Sequence, residues 1–239
     1  MLTIQNLTVS VEDKVIINDF SFTFEKGKVY ALMGPNGSGK STLVHAIMGN
    51  LVYQVKSKKF KVKSEGRYID LQNLDTNKRA KTGIFLSFQT PLALQGIRVA
   101  QLLQLALGKS KSALELRKEI ANNANELKIN PDLIQRSLNE GASGGERKKL
   151  EVLQAAILDK PIQIFDEIDT GVDVDAINDI GTFLRNHKQG KTYIVITHSN
   201  KILHYLQPDQ VLVMDRGKLK LVGGPSLIPK IEAEGYQNL

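Results

Sequence analysis

Apolar residues along this chain fall into two rhythms, short runs of strand length and longer stretches at helical spacing. Leu2–Val9 and Val15–Phe24 read as β-rich, the second partly alternating, with a polar turn at Glu12-Asp13-Lys14 between them. Val29–Met33, Ile84–Phe88, Ile162–Phe165, Thr192–Ile196 and Val211–Met214 are apolar runs that predict further strands. Leu51–Leu74 is short, charged and strand-like. Within it, Lys59-Phe-Lys-Val-Lys63 sets three lysines on one face and Phe60 and Val62 on the other. That pattern predicts an edge strand whose lysines block unwanted pairing.

Helical spacing appears in Thr42–Met48 and again from Val99 to about Ser137. The second stretch carries Leu102, Leu103, Leu105, Ala106, Leu114, Leu116, Ile120 and Leu127, punctuated by Gly108 and Pro131. After a glycine-rich turn at Gly141–Gly145 a helix runs to about Leu158. Val174–His187 and Asn200–Leu206 follow as helices, and a tail helix is expected after Pro225. The turn Asp215-Arg216-Gly217 returns the chain to Lys218–Val222. Strands alternating with helices predict an α/β fold, a mainly parallel sheet wrapped by helices, with a helical insertion over roughly 99–140.

Composition narrows the class. The 239 residues suffice for one large domain with an inserted subdomain, and 41% hydrophobic with 24% charged residues is ordinary for a globular protein. No apolar run approaches the roughly 18–20 residues of a membrane span. Met1-Leu-Thr-Ile-Gln lacks the basic start and apolar core of a signal peptide, so a cytoplasmic location is expected. The chain has no cysteine, which suits a reducing compartment and excludes a Cys-ligated iron–sulfur cluster held by this chain alone. The net charge of +7 gathers partly in Lys56, Lys58, Lys59, Lys61, Lys63 and Arg67, read as a solvated face rather than a nucleic-acid site.

The chemistry concentrates at Gly34-Pro35-Asn36-Gly37-Ser38-Gly39-Lys40-Ser41, which fits G-x-x-x-x-G-K-[ST] between a strand and a helix. Glycines let the backbone curl with its N–H groups inward, and the helix start at Thr42 adds unpaired N–H groups and a positive dipole end. Lys40 supplies a mobile charge for the β- and γ-phosphates, and Ser41 a hydroxyl for Mg²⁺. ATP is the expected ligand. Asp166 and Glu167 end an apolar strand, where ligands of open α/β sheets sit. Asp166 is placed to hold Mg²⁺ through water, and Glu167 to orient or deprotonate the attacking water. Gln163, inside that strand, reads as a buried amide needing a partner.

Gly141-Ala-Ser-Gly-Gly-Glu-Arg-Lys-Lys149 is a second glycine-rich turn opening a helix. Its plain reading is a cap at Ser143; its functional reading is a second anion site. Ser143-Gly144-Gly145-Glu146, 23 residues before Asp166, resembles the signature motif of the ATP-binding-cassette superfamily. Other stations follow in order: Gln89 after Ile84–Phe88, Thr170-Gly-Val-Asp173 after Glu167, and His198 after Thr192–Ile196. The resemblance implies an ABC-type ATPase domain spanning 1–239, a P-loop core with an antiparallel β subdomain and a helical subdomain inserted at 99–140. It implies that Gln89 senses Mg²⁺ and a partner, that Asp173 lies in the D-loop, and that His198 contacts the γ-phosphate. It also implies that the signature of one copy contacts ATP held by a second copy, head to tail.

Asp166-Glu-Ile-Asp-Thr-Gly-Val-Asp-Val-Asp175 lacks the proline that transporter ATPases usually carry after the acidic pair. With Val9–Lys14, Gly83–Pro91, Ser143–Lys149, Thr197-His-Ser199 and Glu234-Gly-Tyr236, it resembles the SufC family, ATPases of the SUF iron–sulfur cluster assembly system. That resemblance implies SufB-like and SufD-like scaffold partners, without nucleic-acid binding or membrane insertion. Two departures stand out. Ala142 occupies a place where a larger apolar residue is usual, and no aromatic residue between Leu7 and Phe20 is available to stack on adenine, leaving Val11 or Val15. The residues leave three other functions open: the ATP-binding subunit of a membrane transporter, a DNA-maintenance ATPase, and a nucleotide-dependent regulatory subunit without turnover.

Overall fold

Strand β1 (Leu2–Val11) pairs antiparallel with β2 (Lys14–Phe24), and β3 (Val29–Met33) then enters the interior. The computed structural model describes residues 1–197 and 200–236. Helix α1 (Lys40–Met48) leads to three short strands, β4 (Gln54–Lys56), β5 (Lys59–Ser64) and β6 (Arg67–Asp70). With β1 and β2 they make an antiparallel sheet in the order β2-β1-β5-β6, β4 also pairing with β1. Phe60 and Val62 face inward as their alternation predicts. However, β5 lies between β1 and β6 rather than at an edge, so its lysines line an outer sheet face and guard no free edge.

Helix α2 (Thr76–Lys81) precedes β7 (Ile84–Leu86), and β8 (Leu94–Arg98) opens the inserted region. There α3 (Val99–Leu107), α4 (Ala113–Glu126) and α5 (Pro131–Gln135) occupy the stretch read as helical, closed by β9 (Ser137–Leu138) against β8. Ser112 caps α4 with a reciprocal bond to Glu115, and Pro131 sits at the first turn of α5, a position that lacks an N–H partner in any case. Leu103, Leu116, Ile120 and Leu127 are buried, whereas Leu105 and Leu114 of the same apolar pattern are exposed.

The second half alternates: α6 (Gly144–Leu158), β10 (Ile162–Asp166), α7 (Val174–Asn186), β11 (Thr192–Ile196), α8 (Asn200–Leu206), β12 (Gln210–Asp215), β13 (Lys218–Gly223) and α9 (Leu227–Glu234). The main sheet runs β13-β12-β3-β11-β10-β7, parallel except for β13. Strands β3, β10 and β11 are buried on both faces, as βαβ crossovers require. In β3, Val29, Ala31 and Met33 join the core beneath α3, α4, α6 and α7, while Tyr30 and Leu32 join the core formed with α1 and the antiparallel sheet. Each such fully buried Leu or Ile contributes about 1.5–3 kcal/mol. The parallel register brings the carboxyl ends of β3, β10, β11 and β7 to one rim. Gln163, 1% exposed, donates its side-chain amide to Ala155 O at 3.1 Å, so the predicted buried amide has its partner on α6.

Candidate functional site

At this rim β3 gives way to the loop 34–39, and α1 begins at Lys40. The loop is tied internally by Ser38 N–H to Pro35 O (3.2 Å) and Leu43 N–H to Gly39 O (2.8 Å). It is braced from outside by the β12–β13 turn, where Gly217 N–H donates to Ser38 O (3.0 Å) and Gly217 O accepts from Asn18 N–H (2.9 Å). Gly217 has φ +75°, and a Cβ there would lie 2.1 Å from Ile16 O, so only glycine fits this close approach. The Lys40 ammonium is buried and donates to Gly34 O (2.8 Å) and Pro35 O (3.0 Å). Burial lowers its pKa, opposed by the nearby Glu167 and Asp166 carboxylates.

β10 delivers Asp166 to the same place. Its carboxylate is completely buried, with Oδ1 accepting from Ser41 Oγ at 3.3 Å and its backbone N–H bonded to Ser87 Oγ (3.1 Å). Among the described residues Oδ2 has no hydrogen-bond partner, and His45 Nε2 lies 3.9 Å from it. Burial raises the Asp166 pKa, only partly countered by Ser41 and His45. An orphaned buried carboxylate oxygen beside a serine hydroxyl is a hard-oxygen donor set, and it fits Mg²⁺.

Glu167 follows in the left-handed region (φ 50°), its N–H held by Ile196 O at 3.0 Å. Its Oε2 accepts from Gln89 Nε2 (2.8 Å) and from Thr170 Oγ1 (3.3 Å). Gln89 thus reaches the acidic pair, but through Glu167. A cleft of about 960 Å³ opens over the loop, bounded by Asn36, Lys40, Ser41, Thr42, Gln89 and Glu167. Lys14 and Ile16 of β2 also line it. The wall offered to a base is therefore Ile16 and the Lys14 stem, whereas Val15, 54% exposed, lies outside the lining.

Ser143 caps α6. Its Oγ accepts from Glu146 N–H (3.3 Å) and donates to Glu146 Oε2 (2.7 Å), which also accepts Ser143 N–H (2.8 Å). Gly144 packs so close that a Cβ would lie 2.7 Å from Gly171 O, and Asp173 caps α7 by accepting Ala176 N–H at 2.8 Å. None of 143–146 lines the cleft above the loop. Ala142 is buried in the helix-side core, and Ile168, where transporter ATPases have proline, is buried as well. His198 lies outside the described residues; Thr197 just before it is tied to Asp169 Oδ2 at 2.6 Å.

The sequence reading missed Lys148 and Glu151, two buried charges on α6 that hold the Phe88–Gln89 backbone. They stand in a charged run that looks solvated. Their i, i+3 spacing was the available signal.

The chain matches the ABC transporter family profile over residues 17–170. It is 37% identical to the probable ATP-dependent transporter SufC of Escherichia coli, covering 99% of this chain and 97% of that protein. It is 38% identical to the probable ATP-dependent transporter slr0075 of Synechocystis, over 100% of this chain and 95% of the relative. Among solved structures, the ATP-binding cassette MJ0796, dimeric and bound to ADP and Pi, superposes with a TM-score of 0.78 at 20% identity, covering 94% of this chain and 98% of that one. That likeness concerns the fold alone.

Proposed function

This chain belongs to the ABC transporter family of ATP-binding ATP hydrolases, in the group that includes Escherichia coli SufC, and we propose that it turns over Mg-ATP in the cytoplasm to drive a SUF-type iron–sulfur assembly complex. The observation that carries this reading is the meeting of Lys40, Ser41, buried Asp166 and Glu167 at one cleft. Backbone N–H groups 36–42 cradle the phosphates, and Lys40 turns from its own carbonyls toward the β- and γ-phosphates. Magnesium, when bound, neutralises charge building on those phosphates, held by Ser41 and Asp166 with Gln89 nearby. Glu167, steadied by Gln89 and Thr170, orients and deprotonates the attacking water. His198 supplies the γ-phosphate contact.

Ser143–Glu146 lies outside its own cleft, which supports an arrangement in which it meets ATP held by a second copy. Two copies pair head to tail with two composite sites, Asp173 lying at the junction. ATP then favours the closed pair, and hydrolysis releases it. The exposed Phe88 and Leu105 supply apolar surface on the Gln89 segment and the helical insertion, where SufB-like and SufD-like scaffolds dock. No described helix is long and apolar enough to cross a membrane.

The test is a pair of variants with copurification. Glu167→Gln is expected to lower phosphate release at least a hundredfold while ATP-dependent pairing survives, and Lys40→Ala to abolish triphosphate binding by calorimetry. Native turnover in the first, or native affinity in the second, removes the site assignment. Recovery of a membrane permease in place of scaffold proteins removes the SUF role.

A further inference from the structure

Two charges buried in α6 have no role in the chemistry described so far. Lys148 and Glu151 are 3% and 5% exposed, one helical turn apart, with Nζ 3.5 Å from Oε2. A buried ion pair is no bargain for stability, since well-packed apolar residues of similar volume do as well or better. Among the described residues, their other side-chain bonds all run to one place. Glu151 Oε1 accepts from Phe88 N–H at 2.9 Å, and Lys148 Nζ donates to Phe88 O at 2.8 Å and Gln89 O at 2.9 Å. That stretch follows the end of β7 and is otherwise exposed, Phe88 by 49%. From Gln89 the path continues through Nε2 to Oε2 of Glu167 at 2.8 Å. The helix that carries Lys148 begins five residues earlier, at the cap Ser143.

We propose that Lys148 and Glu151 are positioning residues for ATP hydrolysis: they clamp the Phe88–Gln89 backbone to α6, so that Gln89 holds Glu167 in register with the helix bearing Ser143–Glu146. The inference rests on the reading of Glu167 as the base. Burial raises the Glu151 pKa, and Lys148 pulls it back. A displacement of α6 on engaging a second copy is carried to the Phe88–Gln89 backbone by three direct hydrogen bonds, and small errors in the placement of a catalytic group cost rate steeply.

The experiment is the double variant Lys148→Met/Glu151→Leu, which removes the clamp while filling its volume with apolar atoms. Expected is a melting temperature close to native, an ATP Kd within twofold of native, kcat lowered about tenfold or more, and faster hydrogen exchange at the Phe88 amide. A kcat within twofold of native overturns the proposal, as does a lowered kcat with unchanged exchange at Phe88. Should the double variant not fold, Lys148→Met is measured alone. Lowered kcat at native Kd supports the clamp, and any other pattern overturns it. Glu167→Gln is run alongside: native turnover there defeats the base assignment, whereas inactive Glu167→Gln beside a fully active double variant defeats only the clamp.

Discussion

The side-chain amide of Gln89 donates to the Glu167 carboxylate at 2.8 Å, joining the segment after β7 to the residue after β10. The glutamine thus fixes the direction in which the carboxylate points. Gln89→Leu removes that restraint and should lower kcat about ten- to a hundredfold with ATP affinity nearly unchanged. Gln89→Glu sets two carboxylates against each other and should be slower still. Phosphate release measured at saturating ATP gives the order, and a Gln89→Glu variant faster than Gln89→Leu contradicts the arrangement.

Asp166 costs the ligand-free protein stability. Because burial holds its pKa above the usual range, the folded chain keeps this proton to higher pH than the unfolded chain. Its contribution therefore declines as pH rises from the ordinary carboxylate range through the raised value, and stays low above it. Asp166→Asn removes that slope. In the presence of EDTA, the variant should melt higher than native at pH 7, by about 2–4 °C for each kcal/mol recovered. The gap should narrow toward pH 4, and Mg-dependent turnover should be lost. A variant that melts lower than native at pH 7 refutes the account.

Gly217 lies 177 residues from Lys40, yet its N–H supports the phosphate loop at Ser38 O. Gly217→Ala forces a Cβ into Ile16 O and moves that brace. ATP affinity should fall about tenfold, equivalent to roughly 1.4 kcal/mol, in a protein that still folds. Calorimetric titration checks it, and native affinity removes the bracing role.

Arg79, buried on α2, donates from Nη1 to Ala46 O (2.7 Å) and Ile47 O (3.0 Å), closing the carbonyl end of α1, and from Nε to Leu74 O (2.8 Å). Its guanidinium also lies 5.1 Å over the Phe60 ring. Arg79→Met leaves Ile47 O and Leu74 O without their donor and should cost about 2–4 kcal/mol. A urea midpoint shifted down at unchanged slope is the expected reading. A shift under about 0.5 kcal/mol, the range of ordinary surface changes, refutes the cap.

What the sequence disclosed follows from which forces are local. The loop 34–41 and the apolar strands β3, β10 and β11 were legible because their chemistry lies within a few neighbouring residues. Helix α2 was not, since its six residues are all polar or small and its one buried side chain is Arg79. The face of β5 could be read from alternation, but its interior place could not, because strand neighbours are chosen by distant segments. Likewise Lys148 looks solvated within the charged run Glu146–Lys149, and its spacing from Glu151 is a faint sign of its burial under the Gln89 segment. Ser143 was legible as a helix cap, and the fold realises that reading within a single chain.

That cap has a consequence for timing. Glu146 already occupies the hydroxyl and amide of Ser143, so under the head-to-tail pairing proposed above a solitary molecule carries its own negatively charged decoy at the place that pairing assigns to an incoming terminal phosphate. Two empty molecules thus have little to gain by touching there. On that proposal, only a polyanion strong enough to evict the resident carboxylate makes the encounter worthwhile, and idle association is discouraged until fuel is aboard.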